Sequence, residues 1–413
     1  MPETTADIQA IARRAVADTR ITDIHTHLFP SSFGPNCLWG VDELLTYHYL
    51  IAETLRWLDM PYDAFWALTK REQADLVWRT LFLEHSPVSE SCRGVLTTLG
   101  ELGLDPECRD LDEHRAFFAK LDAAEYVDRV LDLANVDSLV MTNDPFDAGE
   151  RQCWLDGAAR HPRFHSALRL DVLLNSWETA AANMKNWGYA VRPDFSGRTL
   201  AETRRFLNDW LARLDAKYMA VSLPPAFAWP CEDARSRLIE DAVIPVAVET
   251  GRPFAMMIGA KRQVNPGLRL AADAVGRSGM EPVENLCARF PDAKFLVTML
   301  ARENQHELCV TARKFRNLMV FGCWWFLNNP SLIEEITRMR LEMLGLSIIP
   351  QHSDARVLDQ LIYKWKHSRA IIAEVLADKY ADLAATGWKV SEEEIRRDAH
   401  DLLSANFWRF HDA

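Results

Sequence analysis

The sequence has no apolar run of about 18 residues or more, so it offers no candidate membrane span. Its first residues, Met1 to Asp7, lack the basic-then-apolar pattern of a secretory signal, and a cytoplasmic location is expected. The eight cysteines among 413 residues are scattered and never spaced Cys-x-x-Cys. In a chain of this length they read as reduced thiols, not as a disulfide framework. Positive charge is in short supply: 47 Lys and Arg against 59 Asp and Glu leave a formal net charge of −12. That balance excludes a general nucleic-acid binder, and any anionic ligand must be held by locally placed arginine or lysine. Internal repeats and low-complexity segments are also missing. What is present is ordinary globular composition, 48% hydrophobic and 26% charged, with ample length for a large core.

The most informative stretch is Ile21-Thr22-Asp23-Ile24-His25-Thr26-His27-Leu28. It reads as a strand, in which residues i and i+2 share a face. His25 and His27 therefore project together, about 6–7 Å apart along the chain, and can converge on one cation. An amphipathic helix (7–17) precedes the run and a loop, Phe29-Pro30-Ser31-Ser32-Phe33, follows it. A histidine pair at the C-terminal end of a strand, opening into a loop, stands where α/β barrels keep their chemistry.

From 41 to about 119 the chain is rich in helix formers and aromatics at three- and four-residue steps, without a convincing strand. Beyond it, short apolar runs recur at 136–141, 164–170, 218–223, 254–258, 295–300, 318–323 and 347–350, separated by helical patterns. With 21–27 they make eight strands alternating with helices. That pattern implies a parallel sheet and, with eight strands, a distorted (β/α)8 TIM barrel. Residues 1–30 and 131–413 are expected to form the barrel with C-terminal helices, and 31–130 a helical insertion domain that contributes to the active site.

Reading the strand ends in turn supplies a partner for the histidines. Strand two ends in Thr142-Asn143-Asp144, strand three in Arg169 and Asp171, and strand seven in Cys323-Trp324-Trp325-Phe326. Strand eight is followed by Gln351-His352-Ser353-Asp354-Ala355-Arg356. Closing the barrel sets Asp354 beside strand one. Two histidines and one carboxylate then form an N2O set with open positions, suited to Zn²⁺, Mn²⁺ or Fe²⁺. Asp354 taken alone reads as the N-cap of a helix beginning near Ala355, and the histidine pair in a closed barrel turns the reading to the site. On spacing alone, His48 and Tyr49 are ordinary residues of an aromatic-rich helix, and Arg169 a strand-end partner for Asp171. Trp324 and Trp325 alternate along strand seven, so only one of them is expected to face the barrel centre. His352 and His306 read as structural side chains near the site.

Six motifs together resemble the uronate isomerases, a divergent branch of the amidohydrolase superfamily, in their compact bacterial form. They are Thr22 to Leu28, Thr46-Tyr47-His48-Tyr49, Thr142-Asn143-Asp144-Pro145, Leu168-Arg169-Leu170-Asp171, Gly322 to Phe326, and His352 to Arg356, where Asp354-Ala355-Arg356 stands for the family's Asp-Ser-Arg. Two departures matter. Many family members carry a histidine at strand five, where this chain has Met257. The strand-four lysine of two-metal amidohydrolases has no counterpart in Val221-Ser222-Leu223-Pro224.

The resemblance implies one divalent ion, weakly held by His25, His27 and Asp354, with Zn²⁺ first and Mn²⁺ or Fe²⁺ as alternatives. It implies an aldose–ketose isomerase that takes D-glucuronate to D-fructuronate and D-galacturonate to D-tagaturonate through a cis-enediol. Tyr49 is the expected proton shuttle. Arg356 is expected to lower the pKa of that phenol and to stabilise the enediolate. Asp354 joins them as a catalytic group, and His48, Arg169 and Trp325 are expected to contact the hexuronate. The expected partners are that small molecule and further copies of the chain, with neither nucleic acid nor membrane. The competing reading is a mononuclear metal-dependent hydrolase or decarboxylase of the same superfamily.

Overall fold

The computed structural model describes residues 4–413. Seven parallel strands run in sequence order: β1 (Ile21–Thr26), β2 (Val136–Asn143), β3 (Phe164–Arg169), β4 (Ala216–Leu223), β5 (Phe254–Ile258), β6 (Phe295–Met299) and β7 (Leu318–Val320). Both faces of the sheet are packed, so most strand residues are buried. Ile24, Val140, Tyr218, Ala255, Leu296 and Phe321 fill the barrel interior. The outward side chains join the surrounding helices in one larger core.

The eighth expected strand, 347–350, does not form. Only Ile349 bridges to Phe321, and the rest of 348–355 is irregular. Pro350 has no N–H for a ladder, and the segment instead reaches both neighbours singly. Gly322 N donates to Ile349 O at 2.8 Å, while Asp354 N donates to His25 O at 3.1 Å and His27 N to Ala355 O at 2.7 Å. The circuit of the distorted barrel is thus completed by an irregular stave. Asp354 sits in that stave with φ +50°, six residues before the next helix, Gln360–Ala385, so it caps no helix.

Among the described residues the chain between β1 and β2 is helical, with helices at Val41–Leu45, His48–Thr54, Tyr62–Trp66, Lys70–Trp78, Glu90–Glu101, Leu111–Phe118 and Ala123–Leu133. The excursion after β5 locks onto this layer. Trp66 Nε1 donates to Gly267 O at 2.8 Å, and a Cβ on Gly267 would lie 2.4 Å from the Tyr62 ring. At the opposite end the last helix, Asn406–Asp412, plugs the barrel. Phe407 is 1% exposed among the interior side chains, and Trp408 Nε1 donates to Thr22 Oγ1 at 3.3 Å. The end carrying His25 and His27 is left open.

Candidate active site

The C-terminal ends of the strands surround a cavity lined by His25, His27, Arg169, Trp325, Asp354 and Arg356 among others. A wider cavity of about 890 Å³ adjoins it and shares His27, Thr142, Arg169 and Arg356.

Geometry brings the two histidines and the carboxylate together. Asp354 Oδ1 lies 3.3 Å from His27 Nε2 and 3.7 Å from His25 Nε2. Ligand atoms about 2.0–2.1 Å from a tetrahedral cation are separated by roughly 3.3 Å, so the spacing fits one divalent ion with a position left open. Asp354 Oδ1 is buried without a hydrogen-bond partner, as an acceptor kept for a cation would be.

The hydrogen bonds behind His25 fix its tautomer. Tyr218 Oη donates to Ile24 O at 2.6 Å and Thr142 Oγ1 to Thr26 O at 2.9 Å. Both hydroxyls also stand 3.3 Å from His25 Nδ1, with their single protons already committed. Nδ1 must therefore carry the hydrogen, and Nε2 keeps its lone pair toward Asp354. Burial, aided by His27, pulls the His25 pKa down to about 3. Burial, with Arg356 and Arg169 nearby, holds His27 well below the ordinary histidine value. Both imidazoles are neutral at physiological pH, the form that ligates metal.

Three arginines ring the cavity in a chain that is acidic overall. Arg169 is clamped by Asp171, with Nε to Oδ2 at 3.0 Å; burial opposes its charge, and Asp171 more than restores it. Arg262 comes from the excursion after β5, pairs with Asp273 at 2.5 Å and lies 5.8 Å from the centre of the Trp325 ring. Arg356 is exposed at the cavity wall, and among the described residues its guanidinium enters no ion pair. In the sequence Arg262 stands out only as a cation close behind strand five, with no role assigned. Its signal was the closeness of Lys261-Arg262 to the end of strand five, but only the excursion turns the guanidinium inward.

β7 stops at Val320, so strict alternation does not reach the tryptophans. Trp325 adopts φ +49°, and both Trp324 and Trp325 line the cavity. The expectation that only one would face the centre is corrected. Trp325 Nε1 donates to His48 Nε2 at 3.1 Å, which places His48 behind the indole and not at the cavity lining. Burial holds the His48 pKa down to about 3.

Tyr49 packs its ring against His48 at 4.4 Å and Phe326 at 6.1 Å. Its hydroxyl, like that of Tyr47, is buried without a hydrogen-bond partner. Burial, with Tyr47 and Asp354, raises the Tyr49 pKa well above the usual phenol value, and the opposing pull of Arg356 is the weaker. The expectation that Arg356 brings this phenol toward neutrality is therefore not met: desolvation outweighs one exposed cation.

Beneath the carboxylate lie two groups that stand inside the sequence motifs but to which the sequence reading gave no role. His352 is fully buried beside His25, with ring centres 5.3 Å apart and neither nitrogen partnered. Asp23 accepts from Ser353 N at 3.1 Å and Trp365 Nε1 at 2.8 Å, and burial raises its pKa to about 6. Met257 on β5 and Ala220 and Ser222 on β4 line the cavity, and none of them is a metal-ligand side chain. Among the described residues, His25, His27 and Asp354 form the one group of three ligand-type side chains close enough for an ion.

No protein-family model and no curated protein matches the chain. Solved structures do. A uronate isomerase from Bacillus halodurans C-125 superposes with a TM-score of 0.98 and 57% identity, over 99% of this chain and 97% of that one. A uronate isomerase from Thermotoga maritima (TM-score 0.77, 16% identity, 98% and 97% covered) and a glucuronate isomerase from Caulobacter crescentus (0.78, 16%, 99% and 95%) share the fold. With more than half of its residues identical along almost the full length of a uronate isomerase, and with five of the six sequence motifs supplying residues to one cavity, the chain belongs to the uronate isomerase family.

Proposed function

We propose that the protein is an aldose–ketose isomerase of hexuronates, interconverting D-glucuronate with D-fructuronate and D-galacturonate with D-tagaturonate. The observation that carries this reading is a cavity in which three arginines face a single His-His-Asp group. An anionic sugar needs a cationic clamp, and moving a proton between adjacent carbons needs charge stabilisation with no second metal.

In the proposed reaction the proton leaves C2, an enediolate forms across C1 and C2, and a proton is added at C1. The hydroxyl proton passes from O2 to O1, so nothing is oxidised overall. Arg169 and Arg262, held by Asp171 and Asp273, are suited to the C6 carboxylate. Arg356 is free to meet the enediolate. Tyr49 would shuttle the carbon-bound proton, taking it from C2 as the phenolate and returning it to C1, with its raised pKa making the phenolate the costly form, and Asp354 would carry the hydroxyl proton from O2 to O1. Trp325, backed by His48, would wall the pocket against water. A divalent ion held by His25, His27 and Asp354, with Zn²⁺ first and Mn²⁺ or Fe²⁺ as alternatives, would polarise a substrate oxygen. Met257 on β5 and Ala220 and Ser222 on β4 supply no ligands for a bridged metal pair, which disfavours the hydrolase or decarboxylase reading.

The proposal includes residues 31–130 as a helical unit that brings His48 and Tyr49 to the barrel, assembly into a homo-oligomer, and a cytoplasmic setting. All eight cysteines are free, which agrees with the last. Incubation with each uronate and detection of the ketose tests the activity. Release of acid or CO2 in place of ketose would support the hydrolytic or decarboxylating alternative.

A further inference from the structure

The irregular stave holds Asp354 at φ +50°, a conformation that costs any residue other than glycine. The first two turns of the helix Gln360–Ala385 keep it there. Gln360 Oε1 accepts from Arg356 N at 2.9 Å and from Val357 N at 3.1 Å. One turn further along the same face, Lys364 Nζ donates to Ser353 O at 2.7 Å and to Asp354 O at 3.3 Å. The next residue, Trp365, donates to Asp23, which in turn accepts from Ser353 N. Lys364 is 4% exposed, and among the described residues no carboxylate lies in ion-pair range of it. A buried ammonium with no carboxylate in direct contact is expensive, even with Asp354 and Asp23 nearby, and here its hydrogens go to the two carbonyls on either side of the Asp354 side chain.

We propose that Lys364 is a positioning residue for the metal group. By gripping the carbonyls of Ser353 and Asp354 it fixes the left-handed turn that aims Asp354 Oδ1 at His25 and His27. The inference rests on reading those three residues as a divalent-cation site. Its sign sets it apart from simple electrostatics. As a positive charge Lys364 repels a bound cation, so charge alone predicts that Lys364→Met would tighten metal binding. As a clamp, its loss predicts weaker binding.

Zn²⁺ affinity of metal-stripped wild type, Lys364→Met and Lys364→Gln, measured by competition with a chromophoric chelator, tests this, with circular dichroism and thermal melting as the check on folding. Lys364→Met is expected to bind Zn²⁺ about 10–100-fold more weakly than wild type. Lys364→Gln, which keeps one donor, is expected to fall between them. Equal or tighter binding by folded Lys364→Met overturns the proposal. Should that variant fail to fold, Lys364→Gln decides by the same criterion. A wild type that binds no Zn²⁺ overturns the cation-site reading, and this proposal with it.

Discussion

Replacing Gly322 with alanine tests the packing beneath the site most sharply. Gly322 has φ +65°, and a Cβ there would stand 1.7 Å from His352 Nδ1, 2.3 Å from Cε1 and 2.8 Å from Cγ. The imidazole cannot swing away, because it is fully buried between the rings of His25 and Phe321, each centred 5.3 Å from it. The left-handed backbone alone costs alanine about 1–2 kcal/mol, and forcing a methyl into a filled interior adds about 1–3 kcal/mol. Gly322→Ala should therefore lose about 2–5 kcal/mol in denaturant unfolding, by addition of those two terms. The two terms separate in a His352→Ala background. With the ring removed, only the backbone cost of about 1–2 kcal/mol should remain, a coupling of about 1–3 kcal/mol between the sites. The same displaced ring would press on His25, so catalysis should fall along with stability. A loss below about 1 kcal/mol, or the same loss in both backgrounds, would refute the reasoning.

Other consequences follow from the same geometry. Because burial holds the His25 pKa down to about 3, and His27 also well below its ordinary value, neither ligand gains a proton as pH falls from 7.5 through the ordinary histidine range near 6.5. Zn²⁺ affinity should be flat across that window; a fall of about tenfold per unit starting at pH 6.5 would show ordinary histidines. Phe407→Ala removes a side chain 1% exposed in the barrel interior and should cost about 3–5 kcal/mol in chemical denaturation while leaving metal affinity intact. Trp325→Phe deletes the donor to His48 Nε2 and should raise KM for a uronate more than it lowers kcat, if the indole positions substrate. A change confined to kcat would argue against that role.

The sequence carried the ligand group because its logic is local twice over. Two-residue periodicity paired His25 with His27, and barrel closure placed whatever follows the eighth stave beside strand one. It failed where local periodicity stopped being true. Pro350 prevents a regular eighth strand, so Asp354 enters from a left-handed turn and not as a helix cap. β7 ends before Trp324 and Trp325, so alternation could not sort them. Arg262 was visible beside strand five but given no role, and Lys364 gave no signal, for another reason. One is carried in by a long excursion pinned to the helical layer, and the other reaches up from a C-terminal helix; both placements are tertiary. The Tyr49 pKa was misjudged because a charged neighbour can be guessed from sequence, whereas the extent of burial that opposes it cannot.

The central claim is that hexuronate isomerisation takes place over the His25, His27 and Asp354 group. The most direct measurement is an NMR time course of wild type and Asp354→Asn with D-glucuronate and with D-galacturonate. The account predicts that wild type converts at least one of the two to its 2-ketose, and that Asp354→Asn, which keeps the shape but loses the anionic oxygen, is slower by about 100-fold or more. No ketose from either sugar, or an Asp354→Asn variant as fast as wild type, would contradict it.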